Sequence, residues 1–256
     1  MNSVISSSQN ERVKLVRALQ TQAKARRKEN RIVLEGVRLV ADAVEAGVKP
    51  EFVLYNSESD LLARLFRANV PCFEVSDAIM REISDTQTPQ GIIAVSQTPR
   101  ATLPESPSLA LLLDAIADPG NLGTILRTAA AAAVDVVILL PGCVDPYNPK
   151  VLRSGMGAHF RLPISALTWE QVSAQYPDLP MYVADAEGDL AYYDVDWKPA
   201  AGVIIGGEAQ GAQEQAYARA RATITIPMGN RFESLNAAMA TAVILFECRR
   251  QRAGGR

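Results

Sequence analysis

Residues 224–247 read ITIPMGNRFESLNAAMATAVILFE, a strand-like run followed by a polar loop and a helix rich in small residues. Ser234 stands where it can cap that helix, and the alanines make the helix thin enough to pack closely. Two further stretches also follow apolar, strand-like runs: DAIADPGNLGTILRTAAAA (114–132) and IIGGEAQGAQ (204–213). In an open α/β sheet, ligands bind at the carboxyl ends of the strands, so all three stretches are candidate site segments.

The stretch 114–132 predicts an anion-binding turn. Asn121 follows a Pro-Gly turn and can cap the next helix, whose free N–H groups attract negative charge. Arg127 lies within that helix, where a cation near the N-terminus opposes the helix dipole. Phosphate recognition would explain it, and so would an ion pair with Asp114 or Asp118.

In the stretch 204–213, Gly206 and Gly207 allow a ligand to approach the backbone closely. No Lys-Ser/Thr pair follows Gly211, so this is not a P-loop. The glycine spacing is not Gly-x-Gly-x-x-Gly, which argues against a nucleotide-dependent enzyme on a classical doubly wound fold. Taken alone, the stretch is compatible with a simple turn.

The remaining pattern predicts an α/β protein with two domains. Apolar runs of the fully buried kind, typical of a parallel sheet covered by helices, recur after residue 108. Shorter β-like runs alternate with helical patterns before residue 96, and the proline- and serine-rich stretch 96–108 is typical of a linker. We therefore predict domains at 1–100 and 107–256. The strand-like runs are 32–36, 51–56, 71–75, 91–95, 109–115, 135–141, 181–185, 202–207 and 222–227.

Composition excludes several classes of protein. The chain has 256 residues, of which 48% are hydrophobic, so it can fill a core. His159 is the single histidine and the three cysteines are scattered, so we expect no metal site and no disulfide framework. No apolar run is long enough to span a bilayer, and the first residues do not resemble a signal peptide. We expect a cytoplasmic protein with no membrane partner.

Charge is unevenly distributed. The net charge is −2, but residues 1–100 carry 14 basic and 12 acidic residues, against 12 and 16 in the remainder. A basic cluster lies near the N-terminus and is compatible with either a solvated helix face or a nucleic-acid-binding patch. The candidate RNA-binding residues are Lys24, Arg26, Arg27, Lys28 and Arg38.

Together, the three stretches resemble the SpoU/TrmH family of RNA ribose 2′-O-methyltransferases, within the SPOUT superfamily. DPGNLGTILRTA, GGEAQG and IPMGNRFESLNAAMA resemble its three motifs in order, and NPKVLRSGMGAHFRLP (148–163) resembles the preceding segment. ISSSQNERVK and VLEGVRLV resemble the ribosomal-protein-like substrate-binding domain of many members. Two departures are that Gly207 replaces a commonly polar residue, and that Ala-Ala-Met follows Asn236 where Val-Ser-Val is common.

The resemblance implies a C-terminal parallel α/β domain with a deep trefoil knot, an S-adenosylmethionine site in the knot, and a homodimer formed through this domain. It also implies an RNA substrate, ribosomal RNA being favoured over transfer RNA. The cofactor contacts carried over are Gly206, Gly207, Ile226, Met228, Ser234 and Leu235. The implied catalytic residues are Arg127, Asn121, Glu208, Ser234 and Asn236.

The reaction that the resemblance implies requires activation of a ribose hydroxyl, which is a weak nucleophile. An arginine holds its proton above pH 12, so Arg127 suits phosphate orientation and stabilisation of the forming alkoxide better than proton removal. The proton would go to Glu208, to a phosphate oxygen or to water. Asn121 would position the ribose or Arg127, while Ser234 and Asn236 would fix the hydroxyl and the cofactor loop.

Three other functions stay open at this point. They are a non-catalytic RNA-binding or assembly protein of the same fold, a nucleotide-dependent enzyme, and a methyltransferase acting on a base or a protein.

Overall fold

The computed structural model describes residues 4–100, 102–208, 211–229 and 234–253. Residues 209–210 of the second stretch and 230–233 of the third lie outside the described residues. In chain order, the strands are β1 Arg31–Glu35, β2 Phe52–Tyr55, β3 Cys72–Glu74, β4 Ile92–Gln97, β5 Leu109–Asp114, β6 Val136–Leu139, β7 Ile164–Ala166, β8 Met181–Ala184, β9 Leu190–Ala191, β10 Ala201–Gly206 and β11 Ala222–Thr225. The α-helices are α1 Glu11–Thr21, α2 Ala23–Glu29, α3 Val37–Glu45, α4 Asp60–Arg67, α5 Asp77–Ile83, α6 Pro119–Ala131, α7 Pro149–Gly155, α8 Trp169–Gln175, α9 Glu214–Arg219 and α10 Ala237–Ala253.

The chain divides into two compact units. Unit 1 comprises residues 1–99 together with 145–160, and unit 2 comprises 100–144 and 161–256. The segment 145–160, which is distant from unit 1 in sequence, packs there because Leu152 is fully buried in its core and Tyr147 and Phe160 cover the same cluster.

Unit 1 is built on a four-stranded sheet in the order β1-β4-β2-β3. β4 runs antiparallel to β1 and β2, while β2 and β3 are parallel. Successive residues of a strand point to opposite faces, and here both faces are buried. Ile32 and Leu34 enter one apolar cluster, whereas Val33 enters the cluster on the other side. This double burial explains why the strands read as uninterrupted apolar runs.

Unit 2 is built on a seven-stranded sheet in the order β7-β6-β5-β10-β8-β11-β9, in which every described pair is parallel. All six residues of β5 are buried, as the run LALLLD predicts for a central strand. The α/β fold with a parallel sheet is therefore confirmed. β4 continues to Gln97 and Ser96 is fully buried, so the segment expected to be a linker begins later than residue 96.

Helix α10 is the long helix that follows the third stretch. It begins at Ala237, two residues later than the expected start at Leu235, and packs against α6. Ala238, Thr241 and Leu245 lie on its buried side. Among the described residues, no helix combines the length and the apolar character needed to cross a bilayer.

Candidate active site

The order of the strands gathers the three site stretches. β5, β10, β8 and β11 are neighbours and run parallel, so their carboxyl ends lie side by side. Gly206 at the end of β10 pairs in register with Asp114 at the end of β5. The stretches that follow β5, β10 and β11 therefore emerge at one edge of the sheet.

A hydrogen-bonded network joins one residue from each stretch. The side-chain amide of Asn121 donates to Oε1 of Glu208, and Nδ2 of Asn236 donates to the same oxygen at 2.6 Å. Asn236 Nδ2 also lies 3.2 Å from Asn121 Oδ1. Three of the five predicted catalytic residues are thus brought together. Two amide donors stabilise negative charge on Glu208 and leave its second oxygen outside these bonds.

The helix caps differ from those expected. Asp118, rather than Asn121, caps α6, because its carboxylate accepts from the backbone N–H of Asn121 at 2.8 Å and Pro119 opens the helix. Asn236, rather than Ser234, caps α10, with Oδ1 accepting from the N–H groups of Ala238 at 2.9 Å and Met239 at 3.3 Å. The side chain of Asn121 is thereby released to bond Glu208.

A cavity of about 340 Å³ lies beside this network. Its wall contains all six residues predicted to contact a cofactor: Gly206, Gly207, Ile226, Met228, Ser234 and Leu235. Ala237, Ala240 and Ile244 of α10 complete the apolar side. Most of this wall is backbone, small side chains and aliphatic side chains, which suits a ligand recognised largely by backbone groups and shape.

The two glycines are required by close backbone approach. A Cβ on Gly206 would lie 2.1 Å from the nitrogen of Ala212 and 2.2 Å from the carbonyl carbon of Gly211. A Cβ on Gly207 would lie 2.5 Å from the carbonyl oxygen of Ala115. Gly207, where similar proteins often have a polar residue, is therefore fitted to the turn after β5.

Sequence reasoning missed two polar residues of this cavity, Asp185 and Tyr217. The Tyr217 hydroxyl donates to Asp185 Oδ2, and Oδ1 accepts from the N–H of Glu187 at 2.8 Å. Burial, then the bond to Asp185, raises the pKa of Tyr217 to about 12, so the phenol remains a donor. Asp185 directly follows β8, and the carboxyl-end rule applied to the run MYVAD could have found it.

A second cavity, of about 400 Å³, shares Gly207, Glu208 and Gly211 with the first. It also reaches Asn121 and Asp118, so Glu208 lies in the wall between the two cavities. The buried Asp114 holds the adjoining loop, since its Oδ2 accepts from the N–H of Gln213 at 2.7 Å. Burial raises the pKa of Asp114, and this bond lowers it by a smaller amount.

Arg127 lies exposed in the C-terminal half of α6. The expectation that Arg127 lies near the N-terminus of the helix and opposes the helix dipole is therefore wrong. A rise of 1.5 Å per residue separates it from Asn121 by roughly 9 Å along the helix axis. The two side chains thus occupy different turns of one helix.

Comparison with known proteins identifies the family of the chain. A model described as the SpoU rRNA Methylase family matches residues 108–246. The chain belongs to this family. A second model, the MRM3-like substrate binding domain, matches residues 10–94.

Several relatives of the SpoU chain cover most of its length. It is 36% identical to the mitochondrial rRNA methyltransferase 3 of Mus musculus, over 88% of this chain and 69% of the mouse protein. It is 30% identical to RlmP of Bacillus subtilis, a 23S rRNA (guanosine(2553)-2'-O)-methyltransferase, over 96% and 98% of the two chains.

Solved structures support the same family. An AdoMet-bound rRNA methyltransferase from Sinorhizobium meliloti matches with 30% identity and a TM-score of 0.86, over 97% of each chain. The SpoU methyltransferase AviRb from Streptomyces viridochromogenes, in complex with AdoMet, matches with 28% identity and a TM-score of 0.87, over 97% of this chain and all of AviRb.

The five basic residues predicted to bind RNA all lie in unit 1 of this SpoU chain, but they differ in solvent exposure. Lys24, Arg27 and Lys28 are exposed on α2, and Arg38 is exposed on α3. The prediction that Arg26 binds RNA is wrong, because this residue is only 5% exposed and its guanidinium is bonded to Asp145. Its Nη2 lies 2.6 Å from Asp145 Oδ2, and its Nη1 donates to the carbonyl of Leu19.

His159 is a structural residue in unit 1. Its ring is buried, and Nε2 lies 2.8 Å from the carbonyl oxygen of Pro146, to which the neutral ring donates. Burial lowers the pKa of His159 to about 4.

Proposed function

We propose that this SpoU-family chain transfers a methyl group from S-adenosylmethionine to a ribose 2′-hydroxyl of RNA, ribosomal RNA before transfer RNA. The network of Asn121, Glu208 and Asn236, which reaches the wall of the first cavity through Glu208, carries the proposal. A binding module has no need for a carboxylate held by two amides beside a ligand cavity. The names of the relatives from mouse and Bacillus subtilis support ribosomal RNA as the substrate.

The first cavity fits this cofactor by the chemistry of its wall. Gly206 and Gly211 offer backbone groups that no Cβ covers, while Leu235 and Ile244 offer apolar surface to an adenine ring and an aliphatic chain. The carboxylate of Asp185 is an acceptor for hydroxyl or ammonium groups. When bound, S-adenosylmethionine supplies an electrophilic methyl group on a sulfonium, whose leaving group is a neutral thioether.

Arg127 is proposed to bind the phosphate next to the target ribose and to stabilise the alkoxide that forms on the 2′ oxygen. Its guanidinium offers five donors in a fixed plane and stays charged at any physiological pH. Holding the phosphate orients the hydroxyl, and correct orientation supplies much of the rate enhancement in a displacement of this kind.

Glu208 is proposed as an acceptor of the 2′-hydroxyl proton, alongside a phosphate oxygen or water. Asn121 and Asn236 both bond its Oε1, which fixes the carboxylate and leaves Oε2 available to a hydroxyl. Ser234 lines the same cavity and can position the hydroxyl or the cofactor loop.

We further propose that unit 2 contains a deep trefoil knot. Asn236 follows β11 in sequence, yet it bonds Asn121, which follows β5, a strand separated from β11 by β10 and β8. The described residues after β11 thus lie beside the stretch that follows β5, which supports a knotted path. Knots are rare in proteins, because connections seldom thread through loops.

Unit 2 is also proposed to form a homodimer through α10. Met239 and Phe246 of α10 are 58% and 50% exposed, and their spacing of seven residues places them on one side of the helix. An exposed apolar stripe of this kind is typical of an interface. Sedimentation of a Met239→Glu, Phe246→Glu double variant should show a monomer, whereas an unchanged dimer would exclude this surface.

RNA binding is proposed for unit 1, through Lys24, Arg27, Lys28 and Arg38. Lys24, Arg27 and Lys28 are spaced by three and four residues, so they share one face of α2. Phosphate contacts by these three residues of α2 give an affinity that falls steeply with salt concentration.

Labelled methyl transfer from S-adenosylmethionine to purified ribosomal and transfer RNAs, with the modified nucleoside mapped, tests the proposed activity. A 2′-O-methylated nucleoside is expected. Calorimetry with the cofactor distinguishes the alternative, a non-catalytic RNA-binding or assembly protein, which would bind RNA without binding S-adenosylmethionine.

A further inference from the structure

A third cavity, of about 230 Å³, lies in unit 1 and has no part in the proposed methyl transfer. Residues of α3, of the segment before β4 and of the α7 region line it. It is smaller than the ~300–1,000 Å³ typical of drug-sized ligand sites, and its size suits a single ring system.

One wall of the cavity is built from a buried carboxylate. Glu35 at the end of β1 is 8% exposed, and it accepts hydrogen bonds from the Ser84 hydroxyl, from Thr86 Oγ1 at 2.8 Å and from the N–H of Asp85 at 2.9 Å. Arg153 lies beside it, with Nη2 2.6 Å from Asp85 Oδ2. The contact with Asp85 anchors the guanidinium of Arg153 in this wall, and a guanidinium plane can stack on a flat ring.

The other wall carries two charged side chains, Arg38 and Asp42, that can bond a ligand. Arg38 and Asp42 lie one turn apart on α3 and both line the cavity. Residues at this spacing commonly pair, yet within the described parts of the chain neither side chain makes a hydrogen bond or an ion pair. A donor fork and a carboxylate thus stand next to each other on the same cavity.

Apolar surface and an amide complete the cavity. Leu39, 7% exposed, and Met156 supply the apolar part. Gln90 is anchored because its Oε1 accepts from the N–H of Val37 at 2.9 Å, which leaves its amide donors for another partner.

We propose that this cavity binds one unstacked guanine base of the RNA substrate, an inference that rests on the proposed function. Asp42 would accept from the N1–H and N2–H groups of the base, and Arg38 would donate to O6 and N7. Arginine recognises this pair of guanine acceptors in nucleic-acid complexes, and a carboxylate accepts two adjacent donors.

The charge balance favours a base over a phosphate. Arg38 and Arg153 are matched by Glu35 and Asp42, so the wall has no net charge with which to attract an anion. A neutral, flat ligand with donors and acceptors on one edge fits both the apolar surface and the paired charges. Recognition of unstacked bases is also the usual way in which proteins read RNA sequence.

The test uses the full chain with 13C-labelled methionine methyl groups, because Met156 lies in the cavity wall and reports on it directly. The Met156 signal is assigned with Met156→Leu. GMP, AMP, CMP, UMP and inorganic phosphate are titrated in turn at millimolar concentrations, where a weak single-base site is still measurable. GMP is expected to shift the Met156 signal, and the other four compounds are not.

Asp42→Asn should weaken GMP binding by at least about tenfold, since one good bidentate contact carries this much discrimination. Glu45→Gln removes an exposed carboxylate from the same helix and is the matched control, with GMP binding expected at the level of the unmodified protein. In methyl transfer to RNA, Asp42→Asn should raise KM and leave kcat unchanged.

Equal shifts from all nucleotides, or a shift from phosphate alone, would overturn the assignment to guanine, and so would the absence of any shift. Binding of S-adenosylmethionine is measured on the same samples. If the chain binds S-adenosylmethionine but the cavity does not bind GMP, this inference alone is refuted. If the unmodified chain does not bind S-adenosylmethionine, the proposed function is refuted.

Discussion

Asn236 Nδ2 lies 2.6 Å from Oε1 of Glu208, while Oδ1 of the same asparagine caps helix α10. One amide therefore performs two tasks, and the two can be separated. Aspartate at position 236 keeps an acceptor for the cap but loses the donor to Glu208. It also places a second carboxylate against the first, and two close carboxylates cannot both ionise easily.

Asn236→Asp is therefore expected to lower methyl transfer by at least about tenfold, the lower range for a lost positioned group, with partial recovery as the pH falls and one carboxyl of the pair is protonated. Asn236→Ala, the comparison variant, should also lose roughly 1 kcal/mol of stability because the cap is gone. Rates at several pH values and urea unfolding measure both effects. Wild-type rates in Asn236→Asp would rule out a catalytic role for the network.

Arg127→Ala should keep cofactor binding and lose methyl transfer by at least ~10²-fold, the scale of a lost charge-stabilising donor. Arg221→Ala, which removes another exposed arginine of unit 2, is the control and should remain active. Calorimetry gives the cofactor affinity and single-turnover kinetics give the chemical step. Full activity in Arg127→Ala would remove this residue from the mechanism.

Gly206→Ala should destroy the cofactor cavity, because its Cβ would lie 2.1 Å from the backbone nitrogen of Ala212. The loop must move, so the affinity for S-adenosylmethionine should fall by at least about tenfold, or ~1.4 kcal/mol. Gly229→Ala is matched to it, since a Cβ at Gly229 meets no atom within 4 Å. Equal affinities in the two variants would contradict the glycine argument.

Arg26→Ala should affect stability, whereas loss of the exposed basic residues should affect RNA. Removing Arg26 leaves the partly buried Asp145 without its cation, and breaking a fully buried pair in this way costs about 3–5 kcal/mol, which is an upper bound here. The triple variant Lys24→Ala, Arg27→Ala, Lys28→Ala should keep the wild-type free energy of unfolding. It should bind RNA more weakly and show a flatter dependence of affinity on salt. Unchanged RNA affinity in the triple variant would show that the basic residues of α2 form a solvated helix face and do not bind RNA.

His159 should make unit 1 sensitive to mild acid. The pKa of the buried ring is about 4 in the folded chain against 6.5 for a free histidine, so the unfolded chain binds the extra proton between these values. The stability that the neutral ring contributes is present above pH 6.5 and is lost as the pH falls towards 4. At pH 5 the loss in the free energy of unfolding amounts to about 2 kcal/mol. Urea unfolding of wild type and His159→Gln at pH 8 and pH 5 measures it, and parallel losses in both proteins would refute the assignment to His159.

The core strands could be predicted because burial on both faces leaves long apolar runs in the sequence. β5, with all six residues buried, is the clearest case. The edge strands Ile164–Ala166 and Leu190–Ala191 are too short to show any period and were not predicted. The cap of α6 was misassigned to Asn121, although Pro119 at the first helical position already marks Asp118 as the cap.

Asp185 ends a predicted strand-like run, but its place beside the stretches after β10 and β11 depends on strand order, which local sequence does not contain. Asp185 joins the cavity because β8 lies between β10 and β11. The burial of Arg26 depends in the same way on Asp145, which is 119 positions away in the chain. Composition alone could not separate this arginine from Arg27 and Lys28 beside it.

The burial of Leu152 in unit 1 has a consequence for dissecting the chain. The polypeptide crosses from one unit to the other after residues 99, 144 and 160, so no single cut separates them. A fragment ending at residue 100 would retain the sheet of unit 1 but leave a gap where Leu152 packs, and would lose Asp145, the carboxylate partner of Arg26. The complementary fragment would expose Val151 and Leu152 of α7, which are fully buried in the intact chain, so each half needs residues encoded within the other.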